Sequence, residues 1–364
     1  MASRVCHPGV ISSVALIIVG SFQVAFIIAL LVLLSTAHRH SRRDDAVEEA
    51  AVGELRGPVR ALIMGEDRGE SLAAALGHLG RVVATRQLLK IAASQLAPEQ
   101  MRDLAVRLRP AAWVERTLAG GTSRHWWRRM EAARLLAVVN SPADLPLLTR
   151  LVCDAHPAVA IAATGAIAGL ADAALIEAII RGLSVQPTAV RLQQTRALRA
   201  HAEVVTPLLV AHIAAGGSVE QVRALVELAE KLGTPGALAA VVPLASHADP
   251  EVRATVARAL RICFMPAGVD AARRLLKDTD WRVRAAAARA LGGLNAVNAV
   301  PDLQAALRDE WWWVRFRAAL ALGLLGDEGQ SALASAARSD DEFARDMAVV
   351  VRDMSVSARL ELSA

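Results

Sequence analysis

Aromatic residues are scarce in this 364-residue chain, which contains seven tryptophans, five phenylalanines and no tyrosine. Hydrophobic residues nevertheless make up 54% of the chain, so its apolar side chains are mostly those of alanine, leucine and valine. Alanine and leucine favour helices, whereas strands favour β-branched and aromatic residues. The composition therefore predicts an all-α fold and argues against a β-sandwich or a β-barrel.

Cysteine and the common catalytic motifs are also rare or missing. Cys6, Cys153 and Cys263 lie far apart and form no CxxC pair, which argues against a disulfide framework or a structural zinc site. The sequence contains no GxGxxG, P-loop, GxSxG or HExxH string, and its nine histidines are scattered. We therefore expect no enzyme activity, no catalytic residue, no metal and no cofactor.

Neither sign of charge is in large excess. The chain has 41 basic and 36 acidic residues, which gives a formal net charge of +5. The two signs interleave, whereas nucleic-acid-binding proteins usually concentrate basic residues on one surface. We therefore do not expect nucleic acid to be the main partner.

A run of 25 uncharged residues covers positions 10–34. As a helix it would be roughly 38 Å long, which is enough to cross a bilayer. Only Arg4 precedes the run, and the arginines that follow it are Arg39, Arg42 and Arg43. Because positive residues stay on the cytoplasmic side, this pattern predicts a single transmembrane helix between a short N-terminal segment (1–9) and a basic juxtamembrane segment (35–43).

The localisation that follows is the inner membrane, with one pass through the bilayer and the rest of the chain in the cytoplasm. An alternative is export after cleavage of a signal peptide, because Ser35-Thr36-Ala37 offers the small residues of a cleavage site. The apolar run is long for a signal peptide, and the arginines after it would resist export. The transmembrane interpretation is therefore preferred, with the lipid bilayer contacted through residues 10–34.

The rest of the chain repeats with a period near 31 residues. The dipeptide Val-Arg recurs at intervals of 30 to 32 residues, at Val190-Arg191, Val222-Arg223, Val252-Arg253, Val283-Arg284 and Val314-Arg315. Three further registers extend the series, at Trp127-Arg128, Val159-Ala160 and Ala344-Arg345. A period of 20 to 50 residues is typical of solenoids.

Each repeat has the pattern of a helical hairpin. Counted from Val283, the residues at plus four, seven and eight are Ala287, Ala290 and Leu291, which form one apolar helical face. A second apolar-periodic stretch precedes each of these helices, and several such stretches start with proline, which the first turn of a helix tolerates.

The string Pro301-x-Leu303-x-x-x-Leu307-x-Asp309, followed by Val314-Arg315 and Gly323, resembles the HEAT repeat. The resemblance implies a right-handed α-solenoid of about eight hairpins over residues 111–354, and bacterial proteins with one membrane helix before HEAT repeats are similar in layout. Residues 44–110 lack the Val-Arg register and are interpreted as a helical cap and connector. Residues 355–364 are expected to be a frayed C-terminal tail. The predicted fold class is thus all-α, with a transmembrane helix followed by a HEAT-like solenoid.

The HEAT resemblance also implies a ladder of side-chain hydrogen bonds along the turns. Its acidic members would be Asp154, Asp278 and Asp309, and its basic members Arg253, Arg284 and Arg315. Each aspartate lies six residues before the arginine position of its own repeat, which suggests the pairs Asp278 with Arg284 and Asp309 with Arg315. Ser339 and Ala160 are among the residues that replace a ladder position, so the ladder is expected to be broken there.

Two sets of residues are candidates for binding a partner. Arginines recur at plus six and plus nine from the valine position, where they would form a basic concave stripe: Arg196, Arg199, Arg258, Arg261 and Arg289. Such a stripe would attract an acidic protein segment, phosphate or a polyanion, unless it is only a solvated helix face.

The second set is aromatic. Trp311, Trp312 and Trp313 are consecutive at a helix start, where side chains diverge by about 100°, so at least one must be exposed. Trp281 occupies the Trp312 position one repeat earlier, which predicts a stacked aromatic edge of Trp281, Trp311 and Trp312. We expect Trp127 and Trp313 to lie in the core.

These features favour a non-enzymatic, membrane-tethered scaffold or accessory subunit that binds another membrane-associated protein, for example in envelope or polysaccharide synthesis. Two alternatives come from other classes. One is an enzyme similar to the bilin lyases, which also resemble HEAT repeats, and the other is a HEAT-like protein that binds nucleic acid through tryptophan and arginine.

Overall fold

The structure is a computed structural model that describes residues 46–94, 96–168 and 172–363. All regular elements in these ranges are α-helices or short 3₁₀ turns, in agreement with the prediction of an all-α protein. The chain divides into two compact units between Glu115 and Arg116.

The first unit contains four complete helices and the start of a fifth. They are α1 (46–64), α2 (Glu70–His78), α3 (Arg81–Ser94), α4 (Pro98–Leu108) and α5 (Ala112–Ala119). Leucines on α2 and α4 form part of its core, among them Leu72, Leu76 and Leu104. The Gln100 side chain donates a hydrogen bond to the carbonyl of Leu62 (3.0 Å) in the last turn of α1, which connects α4 to the end of α1.

The second unit consists of helices that follow one another in pairs. Those from the first half of its sequence are α6 (Trp126–Val139), α7 (Leu145–Val152), α8 (Pro157–Thr164), α9 (Ala173–Gly182), α10 (Thr188–Arg199), α11 (Ala202–Ala215), α12 (Val219–Leu232) and α13 (Pro235–Val241). Those from the second half are α14 (Pro250–Leu260), α15 (Pro266–Leu275), α16 (Trp281–Gly293), α17 (Val300–Ala306), α18 (Trp312–Leu324), α19 (Gly326–Ala336), α20 (Glu342–Asp353) and α21 (Val356–Ser363).

The even-numbered helices from α6 to α20 form one layer, because each packs against the next even-numbered helix. Most odd-numbered helices form the second layer in the same way, as in α7 with α9 and α17 with α19. Val252, Val283 and Val314 are fully buried at the same position of successive repeats, which fills the space between the layers. This two-layer stack of hairpins is a helical solenoid, and the repeat in the sequence predicts it correctly.

Small residues bring neighbouring helices of the even-numbered layer close together. At Gly292 of α16 a Cβ atom would lie 2.9 Å from the Cα of Ala321 on α18, so only glycine fits there. This close approach explains why the apolar residues are mostly alanine, leucine and valine rather than aromatic.

The membrane part of the predicted fold class needs correction. No helix within the three described ranges is long and apolar enough to cross a bilayer. Helix α1, for example, is long but has Glu54, Arg56 and Arg60 among its exposed residues. The structure therefore supports the helical solenoid but neither a transmembrane helix nor the predicted single-pass localisation in the inner membrane. The run 10–34 that motivated both predictions, with its flanking Arg39, Arg42 and Arg43, lies outside the described residues.

The C-terminal segment also differs from the prediction of a frayed tail. Residues Val356–Ser363 form α21, which packs on α18 and α16. Arg359 of α21 is buried, and its Nη1 donates a hydrogen bond to the carbonyl of Gly323 (3.1 Å). Helix α21 is therefore part of the second unit.

Candidate functional site

Ion pairs between arginine and aspartate join successive repeats of the second unit. The Nε and Nη2 atoms of Arg253 donate to the two carboxylate oxygens of Asp278, at 2.6 and 2.8 Å. Arg284 pairs with Asp309 in the same way, at 2.7 and 2.9 Å. Bidentate pairs of this kind are among the stronger side-chain interactions, and these connect neighbouring hairpins at their turns.

The pairing differs from the one that the HEAT resemblance implied. Each arginine binds the aspartate of the next repeat, 25 residues later, and not the carboxylate six residues earlier. Within its own repeat, the Nη1 of Arg284 donates to the main-chain carbonyl of Asp278 (2.9 Å). This bond uses Nη1, so the Nε and Nη2 edge is left for the following repeat.

The first rung of the ladder contains an arginine that the repeat alignment did not select. Arg129 pairs with Asp154, at 2.6 and 2.8 Å, and also donates to the carbonyl of Ser123. The repeat is therefore aligned on Arg129 and not on Arg128, and the interval to Ala160 becomes 31 residues instead of 32. Arg128 is exposed.

The environment of the ladder lowers the pKa of two of its aspartates, Asp154 and Asp278. Burial raises the pKa of Asp278. Hydrogen bonds from Arg253 and from the N–H of Asp280, together with the positive charge of Arg253, lower it by more than burial raises it, so the pKa lies below its ordinary value of 3.8. The pKa of Asp154 is lowered by the same balance of effects, with Arg129 as the donor. These carboxylates are structural anions at neutral pH.

The ladder ends at Arg315, which forms no ion pair with a carboxylate among the residues that the structure describes. Its side chain is only 7% exposed and donates to the carbonyls of Asp309 (2.7 Å) and Glu310 (3.0 Å), while its Nε has no hydrogen-bond partner. The guanidinium lies 4.6 Å from the centre of the Phe343 ring, and this cation–π contact takes the place of an ion pair. Ser339 occupies the position that Asp278 and Asp309 hold in earlier repeats.

Replacing Ser339 with aspartate is expected to complete the missing rung. The Oγ of Ser339 accepts from the N–H of Asp341 (3.2 Å), as the carboxylate of Asp309 does from the N–H of Trp311, so a carboxylate there would face Arg315. The free energy of unfolding should rise by about 1.5 kcal/mol in urea denaturation. Ser339→Asn is the uncharged control, and equal effects of both variants would contradict the prediction.

An aromatic edge lies beside the ladder, at the starts of α16 and α18. The rings of Trp281 and Trp311 are stacked with centroids 5.1 Å apart. Trp312 stacks on Phe316 (4.9 Å), and Trp313 meets Trp312 edge-on (4.8 Å). We use "aromatic edge" for these five residues. Their ring contacts form two groups, the Trp281–Trp311 stack and the cluster of Trp312, Trp313 and Phe316.

The exposure of the aromatic edge partly agrees with expectation. Trp311, Trp312 and Trp313 are 45%, 47% and 49% exposed. Exposure of Trp311 or Trp312 was expected, but the placement of Trp313 in the core was wrong, as was that of Trp127, which is also 47% exposed. Small side chains already fill the core, so no space remains there for these indoles. Trp281 stacks on Trp311. The residue that occupies the position of Trp281 in the next repeat is Trp312, so the stack does not join equivalent positions.

Trp311 occupies a position that other repeats use to cap a helix. The residues preceding α14, α16 and α20 are aspartates whose carboxylates accept hydrogen bonds from the first turn of the helix: Asp249, Asp280 and Asp341. Trp311 is the equivalent residue before α18, and its side chain caps nothing. Loss of such a cap costs about 1 kcal/mol, so the tryptophan is present at the expense of local stability.

A second aromatic group lies at the start of α6. Trp126 stacks on His156 with centroids 4.2 Å apart, and Trp127 stacks on His125 at 4.4 Å. The repeat pattern predicted aromatic residues at this turn but not their pairing with histidines: His125 directly precedes α6, and His156 directly precedes α8 in the next repeat.

The arginines expected to form a stripe form a smaller cluster, which we call the arginine cluster: Arg258, Arg261, Arg289 and Arg317. Burial and then the positive charges of Arg317 and Arg261 lower the pKa of Arg289. Burial also lowers the pKa of Arg317, whose Nη1 donates to the carbonyl of Leu362 on α21 (2.5 Å).

The predicted stripe is interrupted between α10 and α14. Arg196 and Arg199 are exposed on α10, but α12 lies between that helix and α14, and it contributes Glu227 and Glu230 to the cleft there, whose volume is about 290 Å³. The prediction of a continuous basic surface was therefore wrong. The spacing of arginines within a helix gave no information on Glu227 and Glu230, which α12 places between the arginines of α10 and Arg258.

A comparison with family models gives one match. Residues 269–351 match the HEAT-repeat family. The matched region extends from α15 into α20 and contains the Arg284–Asp309 rung, Arg315 and the aromatic residues that precede and begin α18. No curated protein matches the chain.

Solved structures with a similar arrangement share little sequence with it. YibA of Escherichia coli is 16% identical, with 78% of this chain and 96% of YibA covered and a TM-score of 0.35. The karyopherin Kap121p is 15% identical, with 78% of this chain but only 42% of Kap121p covered and a TM-score of 0.38. Human deoxyhypusine hydroxylase is 18% identical, with 84% and 96% covered and a TM-score of 0.29.

Sequence reasoning missed several residues of the matched region and of α21. Phe316 contacts Trp312, and Phe343 contacts Arg315. Arg317 belongs to the arginine cluster, and Arg359 binds the carbonyl of Gly323. Phe316 lies four residues after Trp312, a helical spacing that could have indicated their contact. Within the described ranges, no three His, Cys, Asp or Glu side chains come together as a metal site would require.

Proposed function

We propose that this protein is a non-enzymatic scaffold that binds another protein through the aromatic edge of its HEAT repeats. The observation that carries the proposal is Trp311 at a helix-capping position. Three neighbouring repeats have aspartate there, and aspartate would stabilise α18 better. Trp311 lacks this helix cap and instead stacks on Trp281 while staying 45% exposed, and departures from a local rule are typical of functional residues.

The chemistry of the edge suits a protein partner. Half-exposed indoles offer large, rigid apolar surfaces with an N–H donor, and tryptophan is enriched among residues that dominate binding energy. The Nε1 of Trp311 is held by the Glu310 carboxylate (3.0 Å), so this ring is pre-oriented. A pre-oriented ring loses little conformational entropy when it binds.

The absence of enzyme activity is part of the same proposal. Catalytic acids and bases usually have pKa values shifted towards neutrality, whereas the pKa values of Asp154 and Asp278 are shifted away from it. Their side chains are also occupied by Arg129 and Arg253. These groups support the fold and do not resemble catalytic groups.

Replacing Trp311 with aspartate provides a test that separates binding from folding. The substitution restores the helix cap while it removes the stacked indole, so the free energy of unfolding should stay within about 1 kcal/mol of the parent. We expect Trp311→Asp and Trp312→Ala to reduce capture of a specific protein partner by about tenfold or more. The measurement is quantitative mass spectrometry of proteins cross-linked to the tagged full chain in its native cells.

The matched control is Leu192→Ala, which removes a side chain that is exposed on α10, away from the edge. This variant should capture the partner as the parent does. If both tryptophan variants also capture it normally, the aromatic edge is not the binding surface and the proposal is wrong.

A further inference from the structure

The arginine cluster carries more positive charge than its surroundings balance. Arg258 and Arg261 form no ion pair with a carboxylate anywhere in the described part of the chain, and the one hydrogen bond of Arg258 goes to the Thr255 hydroxyl (2.8 Å). Burial and the charges of Arg317, Arg261 and Arg258 lower the pKa of Arg289, whereas the charge of Glu230 raises it. Like charges held together in a half-buried place create a strong local positive potential.

The fold itself maintains this crowding. A Cβ atom at Gly293 of α16 would lie 2.6 Å from the Cγ of Arg261, so the Arg261 side chain passes directly over that glycine. The glycine therefore allows an arginine of α14 to extend onto α16, towards Arg289.

The same face already holds one helical segment of this chain. Helix α21 packs on α18 and α16, and Arg317 donates to the carbonyl of Leu362 near the C-terminal end of α21. Helix α21 contains one positive residue, Arg359, and one negative residue, Glu361. Their charges cancel, so the helix brings no net negative charge to the cluster. Leu360 and Leu362 of α21 are half exposed, and this helix takes part in two hydrogen bonds with α18, from Arg359 to Gly323 and from Arg317 to Leu362.

We propose that the arginine cluster is a docking site for a short acidic peptide segment of a partner protein, which binds beside α21. Carboxylates suit this site because guanidinium groups bind them in a bidentate way. A long polyanion such as nucleic acid suits it less well, since Glu227 and Glu230 on α12 and the body of α21 interrupt the basic surface on either side. The favoured ligand is therefore short and locally acidic.

This inference extends the proposed scaffold function but depends on other side chains. Arg317 follows Trp313 by one helical turn, so one partner could contact both surfaces. The two proposals can nevertheless fail separately, because the test below uses a purified peptide and leaves every residue of the aromatic edge in place.

The test measures binding of a fluorescein-labelled helical peptide, with glutamates one turn apart, to the purified full chain by fluorescence anisotropy. Its counterpart with glutamine in place of glutamate should not bind. The double variant Arg258→Gln/Arg261→Gln should weaken binding by about tenfold or more, because it removes two charge-assisted contacts. The matched control is Arg196→Gln/Arg199→Gln, which removes two charges at the same repeat positions on α10 and should change the affinity less than about twofold.

The single variant Arg289→Gln keeps the test decisive if the double variant folds poorly. It removes one positive charge of the cluster and leaves Arg258 and Arg261 in place, so its affinity for the acidic peptide should fall by a measurable factor. Equal weakening by the two double variants would show that only overall charge matters and would overturn the proposal. So would the absence of peptide binding, or tighter binding of single-stranded oligothymidylate than of the peptide.

Discussion

Replacing Asp278 with alanine is expected to lower the free energy of unfolding by about 3 kcal/mol, because it leaves the mostly buried guanidinium of Arg253 without its carboxylate. The side chains of Arg253 and Asp278 are 14% and 8% exposed, so water cannot readily replace the lost partner. Asp278 also accepts from the N–H of Asp280 (2.9 Å) at the start of α16, and that bond is lost as well.

Urea denaturation followed by tryptophan fluorescence measures this effect. Six of the seven tryptophans lie after Arg116, so the signal reports mainly on the second unit. The matched control is Asp270→Ala, which removes an exposed carboxylate of α15 and should change the free energy of unfolding by less than about 0.5 kcal/mol. Equal losses for the two variants would contradict a specific role for the ladder.

The pH dependence gives an independent check on Asp278. Its pKa is lower in the folded chain than the ordinary value of 3.8, so the unfolded chain binds the proton more readily. The stability contributed by Asp278 is therefore fully present above the ordinary pKa and is lost as the pH falls through the folded value. The difference between parent and Asp278→Ala should shrink as the pH falls below about 4, and a difference independent of pH would contradict this origin.

Replacing Gly329 with alanine is expected to destabilise the second unit by about 3 kcal/mol, through overpacking against the main chain. A Cβ atom at this position would lie only 2.0 Å from the carbonyl oxygen of Leu322. A flexible side chain could move away, but this oxygen belongs to the main chain of α18. The start of α19 would have to shift off α18 to make room.

Gly165→Ala is the matched control for this substitution. A Cβ there would lie 3.6 Å from the Cβ of Ala137, an ordinary van der Waals distance, and the main chain at Gly165 is right-handed helical. Its free energy of unfolding should stay within about 1 kcal/mol of the parent or rise slightly. If Gly329→Ala were as stable as Gly165→Ala in the same urea experiment, α19 would not be held against α18 as the structure indicates.

The periodic features of the chain could be predicted from the sequence because they depend on local spacing. The valine positions predict the buried face of each second helix, and Val252, Val283 and Val314 are all fully buried. Asp278 and Asp309 were correctly recognised as ladder positions for the same reason. The exposure of Trp311 and Trp312 followed from geometry alone, since consecutive residues at a helix start cannot all point to the core.

The contacts between repeats could not be predicted in this way, because spacing places a residue on a helix but does not choose its neighbour on the next one. Arg253 reaches Asp278 of the following repeat only through the stacking of the hairpins. The same stacking places α12 with Glu227 between the arginines of α10 and α14, and it seats α21 on α18. The sequence by itself thus determined the repeating unit, whereas the tertiary structure decided which charges pair and which arginines gather, because both depend on distances between helices.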